Sequence, residues 1–365
     1  MDISRAGLLP ANIRWRFRCI VPVSGNLQGD YTMRMTSFAA GILTLALAGF
    51  PAGKAAGEGH GTGGTERHQQ QSVQSQEPLK TQVTVVNVFA TVRDRHHGIV
   101  ADLSEKDFKI LEDGQEQKVA FFSKEVDMPI TLGILIDTSG SMDRILGAEQ
   151  DAASRFVKRV MHKNDEAMVI SFDFDVNLLA DFTQDTSVLE RAIRRTVMNA
   201  PPAGIGGTVG TIPYQSGGTN LYDAVYLAAH DELATEAGRK AVILLTDAED
   251  TGSRLKLQDA VEAAQRADAV IHVLLIRDFM ATSGVGPSVA NKMAGDTGGR
   301  VIDVHNEKTL EKAFDEISEE LRSQYVLGYY PTNEKRDGSF RKIQVDVDQP
   351  DVKVLARKGY YAPRR

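Results

Sequence analysis

The chain of 365 residues has a single cysteine, a single tryptophan and no excess of positive charge. One cysteine cannot form an intramolecular disulfide, so a disulfide-stabilised scaffold is excluded. The formal net charge of −7 gives no general attraction to nucleic acid or anionic lipid, both of which require clustered Lys and Arg. A content of 42% hydrophobic and 25% charged residues is typical of a globular protein with one to three domains and excludes a disordered or collagen-like chain.

The N-terminal part of the chain has no apolar run long enough for an ordinary membrane-spanning helix. Residues 38–50 are uncharged and mostly apolar, but such a helix needs about 20 residues. Arg34 precedes this run and small residues follow it, which is the pattern of a signal peptide at 33–55 that is cleaved near Ala55. We therefore expect a secreted or periplasmic protein; the alternative is a membrane anchor formed by an uncleaved N-terminal segment.

Two further N-terminal segments lack the pattern of a folded domain. Residues 1–32 are a doubtful extension, because translation is predicted to begin at Met33 or Met35; the alternative is an unusually long positively charged leader. Residues 56–80 are rich in Gly and Gln with almost no apolar side chains, so we predict a disordered linker.

Residues 81–128 and 325–365 have the alternation of apolar and polar positions that is typical of strands. Asp113-Gly114 is the predicted turn between two strands of the first segment, and Ile343 and Val345 alternate with polar residues in the second. Because neither segment has enough strands to be stable alone, we expect them to pair in one small β unit.

Residues 129–324 show strands and helices in alternation. Four apolar runs are predicted to be parallel strands buried on both faces: 130–136, 167–172, 241–245 and 270–276. Ser187 and Glu190 fit a capping box that begins a helix reaching Val197, and helices are also predicted at 254–269 and 310–324. The pattern predicts an α/β fold: an open, doubly wound, mostly parallel sheet with helices on both faces.

Oxygen-bearing side chains lie where these strands end. Asp137, Ser139 and Ser141 form a D-x-S-x-S sequence directly after the first strand. Thr219 precedes a predicted helix, and Asp247 follows the third strand. Open α/β sheets bind ligands at the carboxyl ends of their strands, and hard oxygen ligands suit Mg²⁺ or Mn²⁺. A structural alternative is that the D-x-S-x-S turn only caps the following helix.

These five residues resemble the metal-ion-dependent adhesion site (MIDAS) of von Willebrand factor A (VWA) domains, in all three segments and in the same order. The resemblance covers residues 129–324 and implies a Rossmann-like VWA domain. The flanking sequences at 101–108, 112–114 and 359–361 are similar to the bacterial VWFA-related family described from acidobacteria. One departure is Ala248, where many such domains have Gly; Ala is expected to be tolerated if the backbone φ is negative there.

The resemblance also implies a function. A bound Mg²⁺ or Mn²⁺ would keep an open coordination position and capture a Glu or Asp of a partner protein. Ser139, Ser141 and Thr219 would bind the cation directly, whereas Asp137 and Asp247 would bind it directly or through water. The expectation is a metal-dependent protein-binding (adhesion) module with no catalytic residues, no nucleic-acid partner and no stable membrane insertion once the signal peptide is cleaved.

Two other functions stay open at this point. One is a scaffold in cell-envelope assembly whose metal only stabilises the fold. The other, less favoured by the sequence, is a metal-assisted hydrolase with Glu249 or Asp250 as its base.

The Gly-rich segment 199–218 contains apolar residues that are expected to be exposed. It is either a specificity surface beside the metal or a loop that folds back on the core. His272, near a core strand, is expected to be a core residue.

Overall fold

The structure is a computed structural model that describes residues 85–124, 128–198, 218–276 and 285–364. The doubtful extension 1–32, the predicted signal peptide 33–55, the predicted linker 56–80 and nearly all of the loop 199–218 lie outside the described residues. Within the described ranges, no helix is long and apolar enough to cross a membrane.

Strands dominate both ends of the described chain, whereas strands and helices alternate in its middle. The strands are β1 (Val86–Asp94), β2 (Phe108–Glu112), β3 (Gln115–Gln117), β4 (Val119–Ser123), β5 (Ile130–Asp137), β6 (Glu166–Phe172), β7 (Val176–Thr183), β8 (Arg239–Thr246), β9 (Ala269–Ile276), β10 (Val301–Val304), β11 (Tyr325–Tyr329), β12 (Phe340–Val347), β13 (Val352–Ala356) and β14 (Gly359–Tyr361). The helices are α1 (Leu146–Val160), α2 (Thr186–Ile193), α3 (Leu221–Tyr226), α4 (Leu257–Arg266), α5 (Val285–Thr297) and α6 (Glu307–Arg322). Helical turns of other types lie at Glu105–Asp107, Gly140–Met142, Leu227–Glu232 and Leu233–Thr235.

A six-stranded sheet forms the centre of the middle region. Its strand order is β10-β9-β8-β5-β6-β7, and every neighbouring pair is parallel except β6 and β7. Every residue of β5 is buried, because helices cover both faces of the sheet. The predicted open, mostly parallel sheet is confirmed.

The two faces of this sheet have separate apolar cores. One core includes Phe156 of α1 and Phe314 of α6, whose ring centroids lie 4.7 Å apart. The other includes Leu221 of α3, Val261 of α4 and Val289 of α5. The arrangement is therefore doubly wound, as the alternation of strands and helices predicts.

Helix ends differ from the sequence prediction where another residue supplies the cap. The carboxylate of Asp185 accepts a hydrogen bond from the Ser187 N–H group, so α2 begins at Thr186 and the predicted Ser187–Glu190 capping box is wrong. This helix ends at Ile193, and Val197 lies beyond it with 64% of its surface exposed.

The two flanking β segments form two four-stranded sheets, with the orders β13-β1-β11-β4 and β14-β12-β2-β3. Strand β1 of the first segment lies between β11 and β13 of the second, and β12 pairs with β2, so the predicted pairing of the segments is confirmed. The turn at Asp113-Gly114 is also confirmed, with φ angles of 48° and 82°. The predicted second strand of that hairpin is divided, because β3 and β4 belong to different sheets.

A buried ionic network joins β1 to the central region. Glu320 of α6 accepts a hydrogen bond of 2.9 Å from Arg93 of β1 and one of 2.7 Å from Arg300. His272 of β9 lies beside the same carboxylate at 3.8 Å and is 2% exposed, which confirms it as a core residue. Burial is the main cause that lowers the pKa of His272.

Candidate functional site

The carboxyl ends of β5 and β8 bring the first and last predicted ligand segments together. These strands are parallel neighbours in the sheet, with Ile136 opposite Leu245. The Thr246 hydroxyl donates a hydrogen bond of 2.6 Å to Oδ2 of Asp137. Asp247 is the next residue along the chain, so the pairing of the strands places both predicted carboxylates at one edge of the sheet.

The D-x-S-x-S turn is held by its own side chains. Oδ1 of Asp137 accepts a hydrogen bond of 2.9 Å from the Ser139 N–H group, and the hydroxyl oxygens of Ser139 and Ser141 lie 3.1 Å apart. Met142 is completely buried beneath the turn. Helix α1 begins only at Leu146, after an N-cap without a side-chain hydrogen bond, so these residues do not cap it as the structural alternative required.

Thr219 is held between the loops that follow β6 and β8. Its N–H group donates to the Thr251 hydroxyl at 2.9 Å, and its carbonyl oxygen accepts from the Thr251 and Gly252 N–H groups at 3.1 Å each. The adjacent Asn220 donates from its backbone to the Asp173 carbonyl oxygen at 2.7 Å and from its side chain to the Phe174 carbonyl oxygen at 2.6 Å. Thr219 is therefore fixed in place by backbone contacts on two sides.

Two buried aspartates that support the site were not identified from the sequence. Asp173 accepts a hydrogen bond of 2.8 Å from the Thr138 hydroxyl, so it links the first ligand turn to the loop that positions Thr219. Asp223 of α3 accepts from the Arg254 and Leu255 N–H groups at 3.1 and 3.0 Å and fixes the loop after Asp247. Asp173 directly follows a predicted buried strand, which is a usable sequence signal; Asp223 carries no such signal.

Ala248 has a φ of 61°, so the negative φ on which the tolerance of alanine was made conditional is not present. The Ala248 N–H group donates to the Thr246 hydroxyl at 3.0 Å, and the Glu249 N–H group donates to Oδ1 of Asp247 at 3.0 Å. These bonds turn the chain sharply after β8 and require the left-handed conformation that favours glycine. The alanine methyl group is fully buried in the apolar core, which offsets part of the strain.

Carboxylates crowd the site. Burial raises the pKa of Asp137 to about 7; hydrogen bonds from Ser139 and Thr246 act against this rise, and the nearby Asp247 adds to it. Glu149 of α1 is fully buried, and neither of its carboxylate oxygens has a hydrogen-bond partner among the described residues. Its pKa is raised well above the ordinary value, mainly by burial and then by Asp137. A cation at this edge of the sheet would relieve the cost of holding these charges close together.

The donor atoms present fit a hard divalent cation. Asp137 and Asp247 offer carboxylate oxygens, and Ser139, Ser141 and Thr219 offer hydroxyl oxygens, which is a set that suits Mg²⁺ or Mn²⁺. Among the described residues, no group of three or more His, Cys, Asp or Glu side chains could hold a metal ion, so a cation here depends on the hydroxyls. Asp137, Ser139 and Ser141 are joined by direct contacts. Asp247 lies at the same edge because it follows Thr246, which contacts Asp137. Thr219 is held there through Thr251 and Asp173.

One comparison with known proteins gives a family match in the central region. A family model described as von Willebrand factor type A domain matches residues 132–249. No curated protein matches the chain. The match begins within β5 and ends just after Asp247, so it includes all three predicted ligand segments.

Three of the solved structures that are similar to this chain have low sequence identity to it. Conserved hypothetical protein BatB from Bacteroides thetaiotaomicron is 18% identical over 53% of this chain and 100% of its own, with a TM-score of 0.39. The vWF domain of the type V pili tip protein Mfa5 from Porphyromonas gingivalis is 15% identical over 54% of this chain and 96% of its own, with a TM-score of 0.41. Proximal thread matrix protein 1 from the mussel byssus, described with a zinc-occupied MIDAS motif, is 13% identical over 58% of this chain and 50% of its own, with a TM-score of 0.44.

Proposed function

Because the chain contains a von Willebrand factor type A domain at residues 132–249, we propose that it is a protein-binding module whose bound divalent cation captures an acidic residue of a partner. This proposal is supported by the parallel pairing of β5 and β8, which places Asp137 at the end of β5 and Asp247 just after β8 at one edge of the sheet. The proposed ligands are Asp137, Ser139, Ser141, Thr219 and Asp247.

The charge of the ligand set supports capture of a carboxylate. When bound, Mg²⁺ or Mn²⁺ supplies a positive charge with an open coordination position. The hydroxyls of Ser139, Ser141 and Thr219 are neutral, so the cation keeps much of its charge where one or both of Asp137 and Asp247 bind it through water. Thr246 donates a hydrogen bond to the Asp137 carboxylate and holds it in one orientation. A Glu or Asp side chain of a partner is therefore attracted to the site.

The module is proposed to act outside the cytoplasm. The signal-peptide pattern at residues 33–55 supports a secreted or periplasmic location, with an uncleaved N-terminal anchor as the alternative. An adhesive or envelope role fits this location, because extracellular partners would meet the metal site directly. Nucleic acid is not a proposed partner, since the chain is acidic overall.

A purely stabilising cation is the second candidate. The burial of Asp137 and of Glu149, whose carboxylate has no hydrogen-bond partner among the described residues, favours it. A cation that offsets buried negative charge stabilises the fold whether or not a partner binds. A hydrolase has weaker support. Asp250, one of its two possible bases, accepts hydrogen bonds from the Ser253 hydroxyl and the Tyr222 N–H group and so holds the loop together.

Metal titration and partner capture test the proposal together. Mg²⁺ and Mn²⁺ are titrated by calorimetry into the wild type, into Asp137→Ala and into Asp143→Ala, a control at an exposed acidic residue just beyond the same turn. We expect binding to the wild type and the control, and none to Asp137→Ala.

The same three proteins then serve as bait for envelope extract, with and without EDTA. Partners lost both with EDTA and in Asp137→Ala are the expected result. Partners that persist in both conditions would refute capture through the metal. Metal-dependent melting with no EDTA-sensitive partner would favour the stabilising role, and hydrolysis of a phosphoester or peptide that is lost in Glu249→Gln would favour an enzyme.

A further inference from the structure

A cleft of about 440 Å³ lies between β12 and β13, which are consecutive in the chain but belong to different sheets. Among the described strands, β13 pairs only with β1, and residues 343–347 of β12 pair only with β2. The Ile343 N–H group donates a hydrogen bond of 2.8 Å to the Lys358 carbonyl oxygen, so the two segments meet just beyond β13. The end of α5 and the start of β10 also line the cleft.

The backbone edge of β13 forms part of the cleft wall. Six consecutive residues, 353–358, line it. Because side chains of a strand point alternately to its two faces, a continuous series cannot line a cleft through the side chains of one face alone. Val354 and Ala356 pack against the apolar core of the flanking β segments, which places Lys353 and Leu355 on the opposite face. The cleft therefore gives access to main-chain groups of β13 as well as to side chains.

The side chains around the cleft carry positive charge. The charged residues that line it are Arg300, Lys353, Arg357 and Lys358, and none of the other described residues in its wall is acidic. Three of these four form ion pairs with carboxylates that do not line the cleft. Lys353 is exposed and forms no ion pair within the described part of the chain. Since the whole chain has a net charge of −7, this positive surface is a local feature that attracts an acidic ligand.

An exposed lysine on an edge strand has a second possible role, because it can prevent unwanted pairing with other chains. The cleft favours binding instead. Its volume lies within the range of about 300 to 1,000 Å³ that is typical of ligand sites. Val301, Val345 and Leu355 line it together with the charged groups, which is the mixed character that such sites have. A lysine that only protects an edge requires neither feature.

We propose that an extended acidic segment of a partner protein adds to the free edge of β13 in this cleft. The main chain of the segment pairs with the main chain of β13, which is the usual mode of strand addition at an open sheet edge. A carboxylate of the segment pairs with Lys353, because side chains of neighbouring strands lie close together on one face.

This binding site is distinct from the proposed cation site. None of the residues that line the cleft is a proposed metal ligand. Strand β10 lies at the edge of the central sheet beside the cleft, and β9 separates it from β8, which Asp247 follows. The inference therefore adds a second partner surface and does not rest on capture of a carboxylate by a cation.

Two capped, fluorescein-labelled peptides test the inference without knowledge of the natural partner. The first alternates glutamate and valine, and the second has glutamine in place of every glutamate. Binding to the full chain is measured by fluorescence anisotropy in EDTA, so that no divalent cation contributes. Hydrogen–deuterium exchange of the chain, with and without the first peptide, reports whether the amides of β13 become protected.

Three variants of the chain accompany the peptides. Gly295→Leu fills the cleft: Gly295 lines it, and the nearest atom to an added Cβ is Nζ of Lys358 at 3.5 Å, an ordinary contact. Leucine is also a better helix former than glycine, so this variant should fold. Lys353→Glu reverses the charge of the proposed contact. Lys342→Glu is the matched control, at an exposed lysine of β12 that does not line the cleft.

We expect the glutamate peptide to bind the wild type about ten-fold more tightly than the glutamine peptide, because its carboxylates meet the positive side chains. Gly295→Leu and Lys353→Glu should each weaken its binding by about ten-fold or more, and Lys342→Glu by less than about two-fold. The bound peptide should slow amide exchange within residues 352–356. Thermal melting of each variant shows that it is folded.

Equal affinity for the two peptides would overturn the inference, as would binding that Gly295→Leu leaves unchanged. Binding without slower exchange in β13 would also overturn it, because charge alone would then hold the peptide. If neither peptide binds, Lys353 only protects the strand edge and the inference is wrong. All of these outcomes leave the proposed function at the cation site intact, because no divalent cation is present.

Discussion

The stability of the metal-free protein should fall as the pH rises, because of Asp137. Its side chain is completely buried, and burial raises its pKa to about 7 from an ordinary value of 3.8. Between about pH 4 and pH 7 the folded chain keeps this proton, whereas the unfolded chain releases it. The folded state therefore binds more protons in this range, and the free energy of unfolding decreases with increasing pH.

The size of the effect follows from the shift. A difference of about three pKa units corresponds to about 4 kcal/mol, at about 1.4 kcal/mol for each unit. The stabilising contribution of the protonated side chain is fully present below pH 4 and is lost as the pH passes through 7. Glu149 acts in the same direction, since its pKa is also raised. Saturating Mg²⁺ should flatten the dependence, because a cation stabilises the ionised carboxylate.

Urea unfolding followed by circular dichroism, at several pH values in EDTA, measures this dependence. Asp137→Asn cannot ionise, so it should lose the Asp137 part of the slope between pH 4 and pH 7. Asp143→Asn, at an exposed position just beyond the same turn, is the control and should keep the wild-type slope. An unchanged slope in Asp137→Asn would refute the reasoning, because the proton uptake would then belong to other groups.

Three further predictions concern buried positions. Glu149→Met should raise the free energy of unfolding at pH 7 by about 1 to 2 kcal/mol in EDTA, because both carboxylate oxygens are buried without a hydrogen-bond partner in the described part of the chain. Destabilisation in urea unfolding would contradict this. Ala248→Gly should change the free energy of unfolding by less than about 1 kcal/mol, because glycine relieves the backbone strain at a φ of 61° and this offsets the loss of a buried methyl group. Ala248→Val should lower the melting temperature strongly. Glu320→Gln should lower the free energy of unfolding by about 3 to 5 kcal/mol, because it weakens the buried pair with Arg93. The control Glu319→Gln, on the exposed side of α6, should lower it by almost nothing. Similar losses in both variants would argue against the network.

The central sheet and the ligand segments were predictable because their signals are local in sequence. Strands buried on both faces must be apolar throughout, so β5, β6, β8 and β9 stand out as runs. The edge strands β7 and β10 are only partly buried, so they lack such a run and were not predicted. In a parallel sheet all the carboxyl ends lie at one edge, which is why polar residues after these runs indicated a shared site.

By itself the sequence determined the fold class, the order of the three ligand segments and the oxygen chemistry of their side chains. The tertiary structure alone decided which groups surround that chemistry. The contacts of Asp173 with Thr138 and with the backbone of Asn220, and the burial of Glu149 beside Asp137, depend on strand order and on loop contacts between distant parts of the chain. Hydrophobic periodicity specifies which face of an element is buried, but it does not specify which elements become neighbours.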